Sequence, residues 1–254
     1  VYLTVDYVVP FLDEMDEAGE NSIEIGFTGG EPFMAPEMLS ILNTVLERGH
    51  RVLMLTNAMQ PMMRPRVKGG LMQLLEEYDD RLTMRVSLDH FSEHLHDAER
   101  GVGSFALAMK GLRWLSENKF KLALAGRTIW GEEEHIAREG YQRLIATEGL
   151  AVDPDNPSEL VLFPEMRADE DPPEITTACW GILNKDPDDL MCASQRMVVK
   201  RKGRDRASVV ACTLLPYDER FDLGDTLIGA RKDVSLNHSY CASFCVLGGG
   251  SCSA

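Results

Sequence analysis

The chain predicts an α/β fold built on a parallel sheet. Three observations carry that expectation. Short runs rich in Val, Ile, Leu or Phe recur at residues 23–27, 52–56, 82–88, 121–125 and 160–163. Each has strand length and is followed or preceded by a helical pattern. Helical periodicity covers residues 4–18, 36–48, 67–77, 104–118 and 132–146. Strands alternating with helices at this spacing require right-handed crossovers, which makes the sheet parallel. The sheet is then either doubly wound or closed into a barrel. A Rossmann fingerprint is missing, since Thr28-Gly29-Gly30-Glu31 does not follow Gly-x-Gly-x-x-Gly.

The elements have local reasons. Pro36 suits a first helical turn and Ser104 suits an N-cap. Pro10 falls inside the first helical pattern and predicts a kink there. The acidic run Glu132-Glu133-Glu134 belongs at a helix N-terminus, where negative charge is favoured. Polar and glycine residues gather at the C-terminal ends of the strands: Gly29, Gly30 and Glu31; Thr56 and Asn57; Ser87, Asp89 and His90; Arg127. In a parallel barrel that is the end where a site is built. The first element is a helix, so a strand feeding it would precede Val1.

The stretch Ile23 to Phe33 is the most informative. A buried strand stops on two glycines, a carboxylate and Pro32. Paired glycines let a backbone approach a ligand closely. Glu31, acceptor-only when ionised, suits an ammonium group. With no Lys or Arg in the loop, a phosphate is a poor match. The competing structural reading is an ordinary βα turn with an exposed Glu.

Composition sets further bounds. The chain has 254 residues, 44% of them hydrophobic, and a net charge of -15. The acidity argues against nucleic-acid binding. The basic run at 200–206 reads as a solvated hairpin tip between β-type runs at 196–200 and 208–212. No stretch approaches the roughly 20 apolar residues of a membrane span. No signal peptide is visible, and a cytoplasmic location is expected. The six cysteines all lie between Cys179 and Cys252. Outside a small secreted domain, clustered cysteines point to metal binding or redox chemistry. The Pro-rich acidic run at 169–173 reads as a connector. Two domains follow, residues 1–165 and a Cys-rich region over 166–254.

These residues resemble the radical S-adenosylmethionine (radical SAM) enzymes. The match rests on Gly29-Gly30-Glu31-Pro32 after an apolar strand, then Thr56-Asn57, then Val86-Ser87-Leu88-Asp89, in that order. The resemblance implies an α/β fold, a partial (β/α)6 TIM-like barrel whose first strand is missing, with a small Cys-rich α+β C-terminal extension. It also implies S-adenosylmethionine as cofactor. Gly29, Gly30 and Glu31 would hold its amino group, with Pro32, Asn57 and Asp89 alongside. Ser87 would reach the ribose or carboxylate, and Arg127 the carboxylate. Such enzymes use an electron from a flavodoxin or ferredoxin to generate a 5′-deoxyadenosyl radical, which modifies a substrate, here a small molecule or a peptide. The family's Cys-x3-Cys-x2-Cys loop, which holds a 4Fe-4S cluster, has no counterpart before Cys179. It is expected upstream of Val1, which makes the chain a fragment.

The tail resembles the SPASM or twitch extensions that hold auxiliary iron–sulfur clusters. Cys192 and Cys212, then Cys241, Cys245 and Cys252, carry that resemblance. One auxiliary cluster is expected, on Cys192, Cys212, Cys241 and Cys245, with Cys252 able to replace one of them. Four thiolates also suit zinc. Cys179 reads as a buried thiol or substrate-side residue. His90, His94 and His96 read as exposed histidines on a polar loop, and Met59, Met62 and Met63 as packing at the barrel mouth. The competing function is a non-catalytic barrel that binds a ligand, with a structural zinc-binding tail.

Overall fold

The computed structural model describes residues 2–166 and 174–247. Cys252 and the 169–173 connector lie outside the described residues. The chain divides into two compact units, Tyr2–Leu12 with Gly19–Phe163, and Asp13–Ala18 with Pro164–Ala254.

The larger unit carries five parallel strands: β1 (Glu24–Phe27), β2 (Arg51–Thr56), β3 (Leu82–Ser87), β4 (Lys121–Thr128) and β5 (Leu160–Pro164). They lie side by side in chain order. A doubly wound sheet would reverse that order at a switch point; here it never reverses. The sheet is a partial TIM-like barrel, open between its ends. One row of paired positions runs through Phe27, Met54, Met84 and Leu122. Side chains alternate across a strand, so Val52, Met54, Leu82, Met84, Val86, Leu122 and Leu124 share one buried face. The other face carries Leu53, Leu55, Thr83, Arg85, Ser87, Ala123 and Ala125.

The helices are α1 (Val5–Glu17), α2 (Met38–Glu47), α3 (Pro65–Tyr78), α4 (Glu93–Arg100), α5 (Ser104–Glu117) and α6 (Glu134–Glu148). Their apolar stripes explain their packing. In α2, Met38, Ile41, Leu42, Val45 and Leu46 are buried at helical spacing. In α5, Ala108, Leu112 and Leu115 do the same. Gly111 of α5 lies so close to the loop after β2 that an added Cβ would sit 1.9 Å from the Ala58 carbonyl oxygen.

Several expectations are corrected. Helix α4 falls where a polar loop was expected, because only His96 is buried along it and no apolar stripe marks it. His90 and His96 are buried, and only His94 is exposed. Ser104 is the first residue of α5; the N-cap is Gly103 at φ +83°, a left-handed backbone. The Ser104 hydroxyl instead donates to Asp97. Pro36 precedes α2, whereas Pro32 opens a short 3₁₀ turn, Pro32–Met34. Strand β4 runs on to Thr128, so Arg127 lies inside the strand rather than beyond it.

The smaller unit contains α7 (Ala178–Leu183), α8 (Met191–Ser194), three antiparallel strands and a π-helix, Cys241–Leu247. Strands β6 (Met197–Val199) and β7 (Ser208–Val210) form the expected hairpin, and β8 (Asp222–Gly224) adds a third strand. The basic tip is ion-paired locally, Arg201 with Asp222 and Arg206 with Asp225. Ala211, Leu215, Phe221 and Cys241 form this unit's core. Among the described residues no helix is long and apolar enough to cross a membrane.

Candidate functional site

Strand β1 ends at Phe27, and Thr28, Gly29 and Gly30 are exposed at its tip. Gly29 adopts φ +139°, which an L side chain resists. Nothing approaches within 4 Å of a Cβ placed on either glycine, so the backbone here faces open space. Glu31 follows in extended conformation and turns its carboxylate across to the end of β2. Its Oε2 accepts from the Asn57 N–H at 2.8 Å, and its Oε1 accepts from the Phe33 N–H at 3.2 Å. The Thr56 hydroxyl, 3.0 Å from both oxygens, donates to the pair. Thr56 in turn accepts from the Ala58 N–H at 3.0 Å. The turn of chain after β2 is thus fixed to the glycine loop. A carboxylate offers about four lone-pair sites, so three donors leave about one for a ligand. Burial pushes the Glu31 pKa above its usual value, against the opposing pull of the Asn57, Phe33 and Thr56 hydrogen bonds.

The other expected residues are placed differently. Pro32 is buried in its 3₁₀ turn. The Asn57 side chain caps its own loop, its Oδ1 accepting from Met59 N–H at 2.9 Å. Ser87 closes β3, paired with Ala125. Asp89 is buried and held bidentately by Arg100, Nε to Oδ2 at 2.7 Å and Nη2 to Oδ1 at 2.8 Å. Its backbone is engaged too: its N–H donates to His96 Nδ1, and its carbonyl accepts from the Arg127 N–H. The Arg127 guanidinium pairs with Glu99 at 2.8 Å. His90 accepts the Ser92 N–H at Nδ1, so its proton sits on Nε2, 3.5 Å from Glu132 Oε1. Phe91 and Trp130 flank its ring, and burial lowers its pKa despite Glu132. Glu31, Thr56 and Asn57 therefore converge, whereas Asp89 and Arg127 belong to a separate ion-paired rim. Arg85 was not singled out from sequence. It lies on the same strand face as Ser87, one pleat deeper, and its Nη2 donates to the Ser158 carbonyl at 3.2 Å. A charged residue inside an apolar strand run was the available signal.

In the smaller unit Cys192, Cys212, Cys241 and Cys245 line one small apolar cavity with Met191, Phe221 and Tyr240. Cys192, Cys212 and Cys241 are free thiols. Burial raises the Cys192 pKa and pushes that of Cys241 up to about 11. Among the described residues no group of three or more His, Cys, Asp or Glu stands close enough to hold a single metal ion. Cys179 lies outside this group, its Sγ 3.9 Å from the Thr176 hydroxyl.

Residues 1–135 match the family model described as the radical SAM superfamily. That is more than half of the chain. The chain belongs to the radical SAM superfamily. Membership places the chain in a superfamily of enzymes and favours that reading over a non-catalytic module. Over 92 residues it is 37% identical to the antilisterial bacteriocin subtilosin biosynthesis protein AlbA of Bacillus subtilis strain 168. The match covers 36% of this chain and 19% of AlbA, so the chain spans about a fifth of that relative. Streptococcus suis SuiB bound to S-adenosylmethionine is 14% identical, with a TM-score of 0.47 over 66% of this chain and 35% of SuiB. SuiB bound to its precursor peptide SuiA gives 13% and 0.46, over 65% of this chain and 33% of SuiB.

The superfamily uses S-adenosylmethionine and a 4Fe-4S cluster. Radical SAM chemistry asks two things of a chain, and this one answers them differently. The open glycine backbone and the remaining acceptor on Glu31 fit an amino acid's ammonium. The 178 residues before Cys179 contain no cysteine, so the barrel residues supply no thiolate for the radical SAM cluster. No step through that cluster is derived from them.

Proposed function

We propose that the mouth of this partial barrel binds S-adenosylmethionine and that the whole protein modifies a peptide. One observation carries the first part: the Glu31 carboxylate is held at the tip of β2, beside an exposed glycine pair. Gly29 and Gly30 offer backbone carbonyls to the methionine ammonium, and Glu31 offers its free acceptor and its charge. Ser87 would reach the ribose or carboxylate. Arg127 reaches that carboxylate only by leaving Glu99, and Asp89 holds the β3 end through Arg100. Pro32 and Asn57 shape the loop rather than touch ligand. In the superfamily, S-adenosylmethionine supplies a 5′-deoxyadenosyl radical that takes a hydrogen atom from substrate. These residues orient the cofactor and exclude water around it. The electron comes from a flavodoxin- or ferredoxin-type donor.

The peptide reading rests on AlbA, a relative named for bacteriocin biosynthesis; bacteriocins are peptides. A cytoplasmic setting, where thiols stay reduced, suits the free thiols of Cys179, Cys192, Cys212 and Cys241.

The smaller unit, residues 166–254 in this proposal, holds one auxiliary iron–sulfur cluster on Cys192, Cys212, Cys241 and Cys245, with Cys252 as a substitute ligand. Tetrahedral zinc with Zn–S near 2.3 Å needs its thiols about 3.8 Å apart. A cluster spreads its ligands more widely, which suits thiols arranged around a cavity. Calorimetric titration of this chain with S-adenosylmethionine and with S-adenosylhomocysteine tests the barrel site. Saturable binding is expected, and no heat above buffer would overturn it. Anaerobic iron and sulfide loading tests the tail; a colourless, zinc-only product would overturn the cluster.

A further inference from the structure

Two cations are attached to the backbone of the cysteine group. The Lys185 ammonium donates to the Cys245 carbonyl at 3.1 Å. Arg196 Nη1 donates to the Cys192 carbonyl at 2.7 Å. The rest of that guanidinium is bound to backbone as well: Nη1 to Gln195 at 2.7 Å, Nε to Ala230 at 2.9 Å and Nη2 to Lys232 at 3.0 Å. Among the described residues neither cation makes an ion pair with a carboxylate. No Asp or Glu lines the cavity. Arg220, also near Cys241, is a different case, because Asp218 pairs with it through both oxygens and cancels its charge.

Both cations are only half-buried, so their carbonyl partners satisfy donors while each positive charge is left to favour a nearby anion. Four neutral thiols do not supply one. Four thiolates around an iron–sulfur core do, since the assembly is anionic overall. We propose that Lys185 and Arg196 are positioning residues for the cluster, holding the Cys245 and Cys192 segments in place and offsetting the negative charge of the ligand set. This rests on the auxiliary-cluster reading above. The cations hold the Cys192 and Cys245 backbone in place as metal enters. They also favour the reduced cluster, which carries one more negative charge, and so hold its reduction potential up.

The test uses the wild type, Lys185→Met, Lys185→Arg and Arg196→Lys, each loaded anaerobically with iron and sulfide. Three quantities are read: iron per chain, melting temperature before loading, and midpoint potential by a titration followed by electron paramagnetic resonance. Lys185→Met is expected to hold iron roughly tenfold more weakly against a chelator and to show a lower midpoint, while melting like the wild type before loading. Lys185→Arg restores both values. Arg196→Lys keeps the charge but loses the fork, so its unloaded melting temperature falls while its midpoint stays near wild type. A loaded Lys185→Met with wild-type iron affinity and midpoint overturns the role of these cations and leaves the cluster standing. A wild type that takes up no iron overturns the cluster, and this inference with it.

Discussion

Removing the Glu31 carboxylate separates its two roles. Glu31→Ala leaves three donors without their acceptor: the Asn57 N–H, the Phe33 N–H and the hydroxyl of buried Thr56. At about 1 kcal/mol per hydrogen bond the loss is about 3 kcal/mol. The exposed glycine loop admits some water, and the variant no longer desolvates a carboxylate whose pKa is raised by burial. Together these reduce the net loss to about 2 kcal/mol. In a domain of this size that lowers the melting temperature by roughly 4–8 °C. Glu31→Gln keeps one oxygen for Asn57 and loses less stability, yet it removes the same negative charge from the ligand's ammonium. Both variants should therefore lose affinity for S-adenosylmethionine to a similar degree while melting at different temperatures. The wild type adds a pH signature. A cation is bound best by the ionised acid, so affinity rises as pH climbs through the elevated Glu31 pKa. Stability does the reverse: an acid whose folded pKa is raised contributes fully below its unfolded value and loses that contribution as pH rises through the folded one. Melting curves and calorimetry across that range check both. Wild-type binding by Glu31→Gln, or wild-type melting by Glu31→Ala, would refute the strap and its role at the site.

Arg100→Ala should cost about 3 kcal/mol, because it leaves the buried Asp89 carboxylate without its bidentate partner; chemical denaturation measures it, and a loss under 1 kcal/mol would place that charge in better contact with water than its burial implies. Gly111→Ala should destabilise by at least 1–3 kcal/mol, since its Cβ would overlap the Ala58 carbonyl oxygen rather than a movable side-chain end; an unchanged melting temperature would disprove that close approach. His90 and His96 both have pKa values lowered chiefly by burial. Their neutral forms are favoured in the folded state, so the stability they contribute is present above pH 6.5 and lost as pH falls through their folded values; thermal melts of wild type and His90→Asn from pH 7 to 5 should show the steeper loss in the wild type.

The sequence made β2, β3 and β4 visible because each buries a continuous aliphatic face, as at Val52 with Met54, Met84 with Val86 and Leu122 with Leu124; β1, expected to be a buried strand, buries only Phe27. Gly29, Gly30 and Glu31 were visible for a different reason: glycines beside an acid at a strand end have no packing explanation. The partners of Glu31 were only half visible. Thr56 and Asn57 stood out as polar residues at a strand tip, but the bond linking them to Glu31 joins positions 25 and 26 residues apart. Helix α4 stayed hidden because its burial rests on His96, a residue with no apolar signature. The same helix carries Glu99 and Arg100, so the pairing of Arg127 and Asp89 was hidden with it. The four-cysteine cavity was foreshadowed by cysteine clustering alone; its two attendant cations were not, because they act through backbone carbonyls and leave no charge pattern in sequence.

That pairing decides where a zwitterionic cofactor can sit. At the ends of β3 and β4 the charges already face one another: Asp89 with Arg100, Arg127 with Glu99, His90 toward Glu132. Each pair would have to break before its cation or carboxylate met a ligand, and breaking the buried one leaves an uncompensated charge. Arg127 and Glu99 are the exception, since both side chains are more than a third exposed and their pair is worth at most about 1 kcal/mol. A ligand carboxylate can therefore displace Glu99 from Arg127 at little cost, whereas Asp89 and Arg100 stay together. The ends of β1 and β2 present the opposite arrangement. Glu31 accepts from three neutral donors, keeps about one acceptor site, and among the described residues makes no salt bridge. Its negative charge is anchored in position beside exposed glycine backbone, and although Arg100 acts on it electrostatically, Arg100 is ion-paired with Asp89; under the proposed binding mode the ammonium goes to Glu31 and the carboxylate toward Arg127.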